Sequence, residues 1–134
     1  MDKKFSSLTK KYGIFIILIA IIVISSVISP YFMKYNNILS IARQVSVTGI
    51  LALGETLLII SGMIDLSMGS VLALSGMVSI NAYLASESFI VAFLVSILIA
   101  ALAGLINGIL VTKVKIPAFI ATMSMDFIAR GSVY

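Results

Sequence analysis

Residues 12–33 carry no formal charge and are rich in isoleucine, and similar apolar runs occupy most of the remaining chain. A helix needs about 20 predominantly apolar residues to cross a hydrocarbon core of roughly 30 Å. Residues 14–29 supply most of the first crossing, and Pro30, Tyr31, Phe32 and Tyr35 mark its far interface. A cleaved signal peptide is the competing reading, because lysines precede the run. The run is long for that, and no A-x-A-like site follows it.

Three more runs follow. Residues 34–43 read as a short polar connector in which Asn36 and Asn37 can cap the next segment. Residues 44–64 form a second span, interrupted only by Glu55. Residues 66–86 form a third, and residues 88–112 a fourth that ends at Lys113 and Lys115. Beyond Lys115, residues 116–134 begin a fifth hydrophobic segment and end inside it. The expected fold is an all-α, polytopic transmembrane helix bundle of four spans plus a truncated fifth segment, one domain over residues 1–134. The ending at Ile128-Ala129-Arg130-Gly131-Ser132-Val133-Tyr134 suggests a portion of a longer protein.

Composition agrees and excludes several classes. The chain of 134 residues is 61% hydrophobic, against about 45–50% in a soluble domain. The net charge of +4 does not indicate nucleic acid, because the lysines stand at segment ends (Lys3, Lys4, Lys10, Lys11, Lys113, Lys115). With those against Lys34 and Arg43 on the other side, the positive-inside rule places the N-terminus in the cytoplasm of a plasma or inner membrane. The chain has neither cysteine nor histidine, so a disulfide, a histidine-based metal site and a Ser-His triad are excluded within it. No metal site is expected.

The polar residues inside the apolar runs are the candidates for function. A charge at the centre of a lipid-facing helix costs roughly 2.5–3.5 kcal/mol, so each such group needs a reason. Asp65, in Ser61-Gly62-Met63-Ile64-Asp65-Leu66-Ser67-Met68-Gly69-Ser70, stands where it can cap the third span. There it would accept from the backbone N–H of Ser67 or Met68. The turn around Gly62 holds no lysine or arginine, which also allows a re-entrant or broken helix sheltered by protein. Glu55 reads either as a pathway or proton-relay residue or as a neutral carboxyl bonded to a neighbouring helix.

Small residues form two stripes. Ala100, Gly104 and Gly108 repeat at i+4, and Gly69, Ala73 and Gly76 make a shorter face; both are expected to admit a close-packed neighbouring helix. Asn107 beside the first stripe is expected to hydrogen-bond to another helix. Asp126 and Arg130, at i,i+4, are expected to pair. The seven methionines are scattered and read as packing.

The run from Ile60 to Leu74 resembles the pattern "ISGGIDLSVGSVLAL" of permease subunits of ribose-, galactose- and xylose-type ABC sugar importers, relatives of the branched-chain amino-acid permeases. Asn36-Asn37-Ile38-Leu39, Ser46, Gly49, Asn107-Gly108, Lys115-Ile116-Pro117-Ala118-Phe119-Ile120-Ala121-Thr122 and Ile128-Ala129-Arg130-Gly131 are similar to further landmarks of that family. Met63 replaces the pattern's second glycine, and family members are longer.

The resemblance implies a non-enzymatic transport subunit that binds no cofactor itself. ATP would be bound by partner ATPase subunits, and this chain holds no GxxxxGK[ST] loop. The implied partners are a second permease subunit (identical or different), ABC ATPase subunits, an extracytoplasmic sugar-binding protein and membrane lipid, but no nucleic acid. The implied activity is import of a monosaccharide, a ribose-like pentose or a hexose. Glu55, Ser61, Asp65, Ser67 and Asn107 are then the substrate-pathway candidates, with Gly62 and Pro117 as turn residues. The rival reading is a small proton-coupled multidrug antiporter with Glu55 as its coupling carboxylate. Against it, Glu55 lies in the second span and the chain has no tryptophan for a drug cage.

Overall fold

The computed structural model describes residues 3–133, with side chains from Tyr12 onward. Its described residues form five α-helices and no strand: α1 (Lys3–Ile28), α2 (Tyr35–Ile60), α3 (Met68–Ser86), α4 (Phe89–Thr112) and α5 (Ala118–Val133). The all-helical expectation holds. Helices α2, α3 and α4 are long and apolar enough to cross a membrane, and Tyr12–Ile28 of α1 is a shorter apolar helix.

Several boundaries differ from the sequence reading, each for a local reason. Helix α1 stops at Ile28 rather than continuing to residue 33, because the residue before Pro30 is disfavoured in the α region. Residues 35–43, expected as connector, are the first turns of α2. Their polar side chains limit how deep the segment sits, but nothing among them breaks a helix. Asn37 does not cap by accepting a hydrogen bond; its Nδ2 donates to the carbonyl of Phe32 at 2.7 Å. Lys34 Nζ lies 4.2 Å from the centre of the Tyr31 ring, which holds this turn's one cation against an interfacial aromatic.

The chain divides into two compact units, Met1–Gly49 and Ile50–Tyr134. Within the second, α3 packs against α4 and α5, and α4 packs against α5. The buried apolar side chains are small or flexible: Ala92, Ala103, Ala121, Met125 and Ala129. The buried polar ones are Ser67, Ser70, Ser75, Asn107 and Thr122, while large aliphatic and aromatic side chains face outward on every helix. This inverts the arrangement of a water-soluble core. Helices surrounded by lipid gain nothing from burying leucine, and associate instead through close packing of small residues and interhelical hydrogen bonds.

The α3–α4 connection combines an interhelical hydrogen bond with a ring contact. Ser79 Oγ donates to the Ala92 carbonyl at 3.0 Å, and the rings of Tyr83 and Phe89 stand 4.7 Å apart. Glu87 makes the tight reversal in the left-handed conformation, φ 52°, with its N–H returned to the Tyr83 carbonyl.

The expected small-residue stripes are not the faces that pack here. On α4 the buried positions are Ala92, Ala103 and Asn107. Ala100 is exposed, and a Cβ added at Gly104 or Gly108 would meet nothing within 4 Å. Gly69 and Gly76 of α3 are equally open, and Ala73 is exposed. The i+4 spacing aligns these residues on one face of each helix, but hydrogen bonding through Ser67 and Asn107 turns a neighbouring face inward.

Candidate functional site

The link between α2 and α3 is built from backbone geometry first. Helix α2 ends in a Schellman motif: Gly62 N–H donates to the Ile59 carbonyl and Met63 N–H to the Leu58 carbonyl, both at 2.9 Å. Gly62 occupies the left-handed position at φ 78°, where a side chain is disfavoured. Met63, in place of the family pattern's second glycine, has no positive φ and carries no such penalty.

Asp65 then shapes the approach to α3. Its Oδ1 accepts from Ser67 N–H at 2.7 Å and from Ser67 Oγ at 2.6 Å. This is an Asx-turn rather than the expected N-cap: the capping position belongs to Ser67, and α3 starts at Met68. The carboxylate holds the backbone out of the helix for two residues, which is why the third span starts later than expected.

Three helices converge on this turn. From α2, Glu55 Oε1 accepts from Asp65 N–H at 3.2 Å. From α4, Asn107 Nδ2 donates to Ser67 Oγ at 3.1 Å, the interhelical bond expected of this amide. From α5, Thr122 Oγ1 donates to the Ala118 carbonyl at 2.8 Å and lies 3.4 Å from the Ile64 carbonyl. Four of the five pathway candidates (Glu55, Asp65, Ser67 and Asn107) thus form one hydrogen-bonded chain. Ser61 stands apart: it is exposed, and its Oγ donates to the Leu57 carbonyl of its own helix.

Sequence reasoning missed Thr122 and Ser70 as members of this neighbourhood. Ser70 Oγ donates to the Ser67 carbonyl at 2.8 Å, in the first turn of α3. The signal for Thr122 was its place with Ala118, Ala121 and Ala129, a small-residue face at helical spacing in an otherwise bulky segment. Pro117 stands just before that helix, its carbonyl accepting from Ala121 N–H at 3.1 Å. Asp126 and Arg130 form the expected pair, Oδ2 to Nε 2.9 Å.

The site is rich in acceptors. Among the described residues Glu55 Oε2 and Asn107 Oδ1 are buried without a hydrogen-bond partner, and no hydrogen bond reaches Asp65 Oδ2. No cluster of three or more His, Cys, Asp or Glu suited to a metal occurs among the described residues. Such an arrangement offers acceptors to hydrogen-bond donors.

Comparison with known proteins decides the family. The profile described as "Branched-chain amino acid transport system / permease component" matches residues 37–134. The chain belongs to this permease family. It is an integral membrane protein of helical type. The permease chain is 40% identical over 116 residues to the ribose import permease protein of Escherichia coli (strain K12), covering 87% of this chain and 36% of that protein. It is 42% identical over 123 residues to the D-allose transport system permease protein of the same strain, covering 90% and 38% respectively. Against the ribose import permease protein of Bacillus subtilis (strain 168) it is 37% identical over 127 residues, 95% of this chain and 39% of the relative. The permease chain therefore spans under two-fifths of the length of these relatives. No solved structure matches it.

Proposed function

We propose that this chain is part of the membrane-spanning permease of an ATP-driven importer for a monosaccharide, a ribose-like pentose or a hexose. The observation that carries the reading is the hydrogen-bonded chain from Glu55 through Asp65 and Ser67 to Asn107, in a chain similar to ribose and allose permeases. Glu55, Asp65, Ser67 and Asn107 would offer acceptors to sugar hydroxyls, and Ser61 takes a lesser part. ATP would be bound and hydrolysed by partner ATPase subunits rather than here. A second permease subunit would complete the gap, an extracytoplasmic sugar-binding protein would deliver the sugar, and the N-terminus would lie in the cytoplasm.

The test is a chimera in which this chain replaces the matching segment of the Escherichia coli ribose permease, in cells lacking that permease. Uptake of labelled ribose or allose that depends on ATP and on the binding protein is the expected result. A chimera that inserts and assembles with its ATPase yet moves no sugar would overturn the reading. So would proton-driven drug efflux by the chain that Glu55→Gln abolishes.

A further inference from the structure

The turn that joins α2 to α3 is set back from the ends of the helices around it. Helices α3 and α4 are antiparallel, tied by Ser67 to Asn107 near one end and by Ser79 to Ala92 near the other. They meet at the Glu87 reversal, but α3 has 19 residues and α4 has 24, so the start of α3 lies about 7.5 Å short of the end of α4 at 1.5 Å per residue. The neighbouring helices give the same depth. Asn107 lies five residues before Thr112, the last residue of α4, or about 7.5 Å. Glu55, which receives the Asp65 N–H, lies five residues before Ile60, the last of α2, again about 7.5 Å. Thr122, 3.4 Å from the Ile64 carbonyl, lies four residues past Ala118, the first of α5, or about 6 Å.

Lys113 and Lys115 fix where those ends lie. They occupy the link between α4 and α5, directly after a strongly apolar helix, so this link stands at a membrane face. A turn in water leaves its backbone groups to water. Here protein takes them: Met63 N–H goes to the Leu58 carbonyl, Asp65 N–H to Glu55 and Ser67 N–H to Asp65, and Ser67 itself is buried. Irregular backbone is tolerated at membrane depth where protein shelters it in this way. The charge pattern agrees. The link at residues 113–117 carries two lysines, whereas residues 61–70, approaching the same face, hold no lysine or arginine.

We propose that residues 63–67 form a re-entrant turn inside the membrane, about 6–8 Å below the face marked by Lys113 and Lys115. Helices α2 and α3 are then a broken-helix pair rather than two spans joined at the surface. Helix α2 reaches the face at Ile60, and the chain climbs back to the level of Glu55 before α3 begins. The consequence is that Glu55, Asp65, Ser67 and Asn107 act within the membrane. Residues 113–117 stand farther out, as the part of this face that a water-soluble partner meets first. This inference goes beyond the importer reading and does not need it: a chimera that moves no sugar leaves the depth of the turn unchanged.

Because the chain has no cysteine, each single-cysteine variant carries one probe. Ile64, Leu66 and Val114 are exposed side chains that admit a label. The full chain is placed in lipid bilayers with a bimane probe at Ile64→Cys, Leu66→Cys or Val114→Cys. Relative quenching by lipids bearing a nitroxide at the headgroup or along the acyl chain then reads its depth. The probes at positions 64 and 66 should lie about 6–8 Å deeper than the one at 114. Equal depths would overturn the re-entrant turn. A charge gives a second reading. Ile64→Lys should lower the amount of chain recovered in membranes at least fivefold, whereas Val114→Lys, between two lysines, should leave it unchanged. Equal recovery of the two variants would also overturn the proposal, because a turn in water accepts lysine as readily as the 113–117 link does.

Discussion

Ser67 is the residue on which the polar turn depends. It is 1% exposed; its hydroxyl donates to Asp65 and accepts from Asn107, so one oxygen ties the turn to α4. Interhelical hydrogen bonds in membrane proteins contribute about 0.6 kcal/mol on average and up to about 2 kcal/mol. Ser67→Ala and Asn107→Ala should each destabilise the chain within that range. Because they break the same bond, the double variant should cost less than the two losses added, which an unfolding titration in mixed micelles measures. Strict additivity would mean that the bond contributes nothing. Asp65 separates shape from chemistry. Asp65→Asn keeps an acceptor for the turn and should assemble, whereas Asp65→Ala loses the turn and should impair membrane assembly at least as much as sugar selectivity. Normal assembly of Asp65→Ala with altered selectivity would make Asp65 a sugar ligand first and a turn former second. The sequence showed that Asp65 mattered at the start of α3. It could not show the mode, because Asp-x-Ser suits an N-cap and an Asx-turn equally, and the deciding partner lies forty residues away on α4.

At the scale of elements, the helices were legible and their ends were not. Hydrophobic runs reveal where a chain meets lipid, and that differs from where a helix stops. Helix α2 therefore begins nine residues before the apolar span read at residue 44, while α1 obeys Pro30 rather than the hydropathy. The Schellman end of α2 gives a sharper test. Gly62 is left-handed, yet a Cβ there would touch nothing within 4 Å, so substitution costs only backbone strain. Gly62→Asn should be nearly neutral, since asparagine tolerates this region, whereas Gly62→Val should cost about 1–2 kcal/mol or more. Met63→Gly should bring no gain, despite restoring the family pattern, because Met63 is unstrained. It should instead remove an apolar side chain that lines one cavity together with Leu58 beside this helix end. Thermal melting in detergent would rank these variants, and stabilisation by Met63→Gly would show that Met63 is strained after all.

For the whole molecule, the decisive quantity is whether the number of crossings is odd or even. Among the described residues three helices satisfy length and apolarity outright, and the 26-residue α1 is apolar over Tyr12–Ile28, about 25 Å of helix against a core of about 30 Å. If that helix crosses, Lys113 and Lys115 return to the side of the four N-terminal lysines, and only Lys34 and Arg43 face outward. If it lies along the surface, Lys34 and Arg43 join the N-terminal lysines, and Lys113 and Lys115 are left outside, beyond the most apolar helix of the chain. The local structure favours crossing. Tyr31, under the Lys34 ammonium, and the exposed Tyr35 stand just beyond Pro30, where an aromatic interface belt belongs. The short turn also lets α1 end without stranding its carbonyls, since Ser29 N–H closes on Ser25 and Phe32 N–H on Ser29. Alkaline phosphatase fused after Glu87 should therefore be active and green fluorescent protein fused there dark, with the pattern reversed after Lys115. The opposite result at both positions would place α1 on the membrane surface.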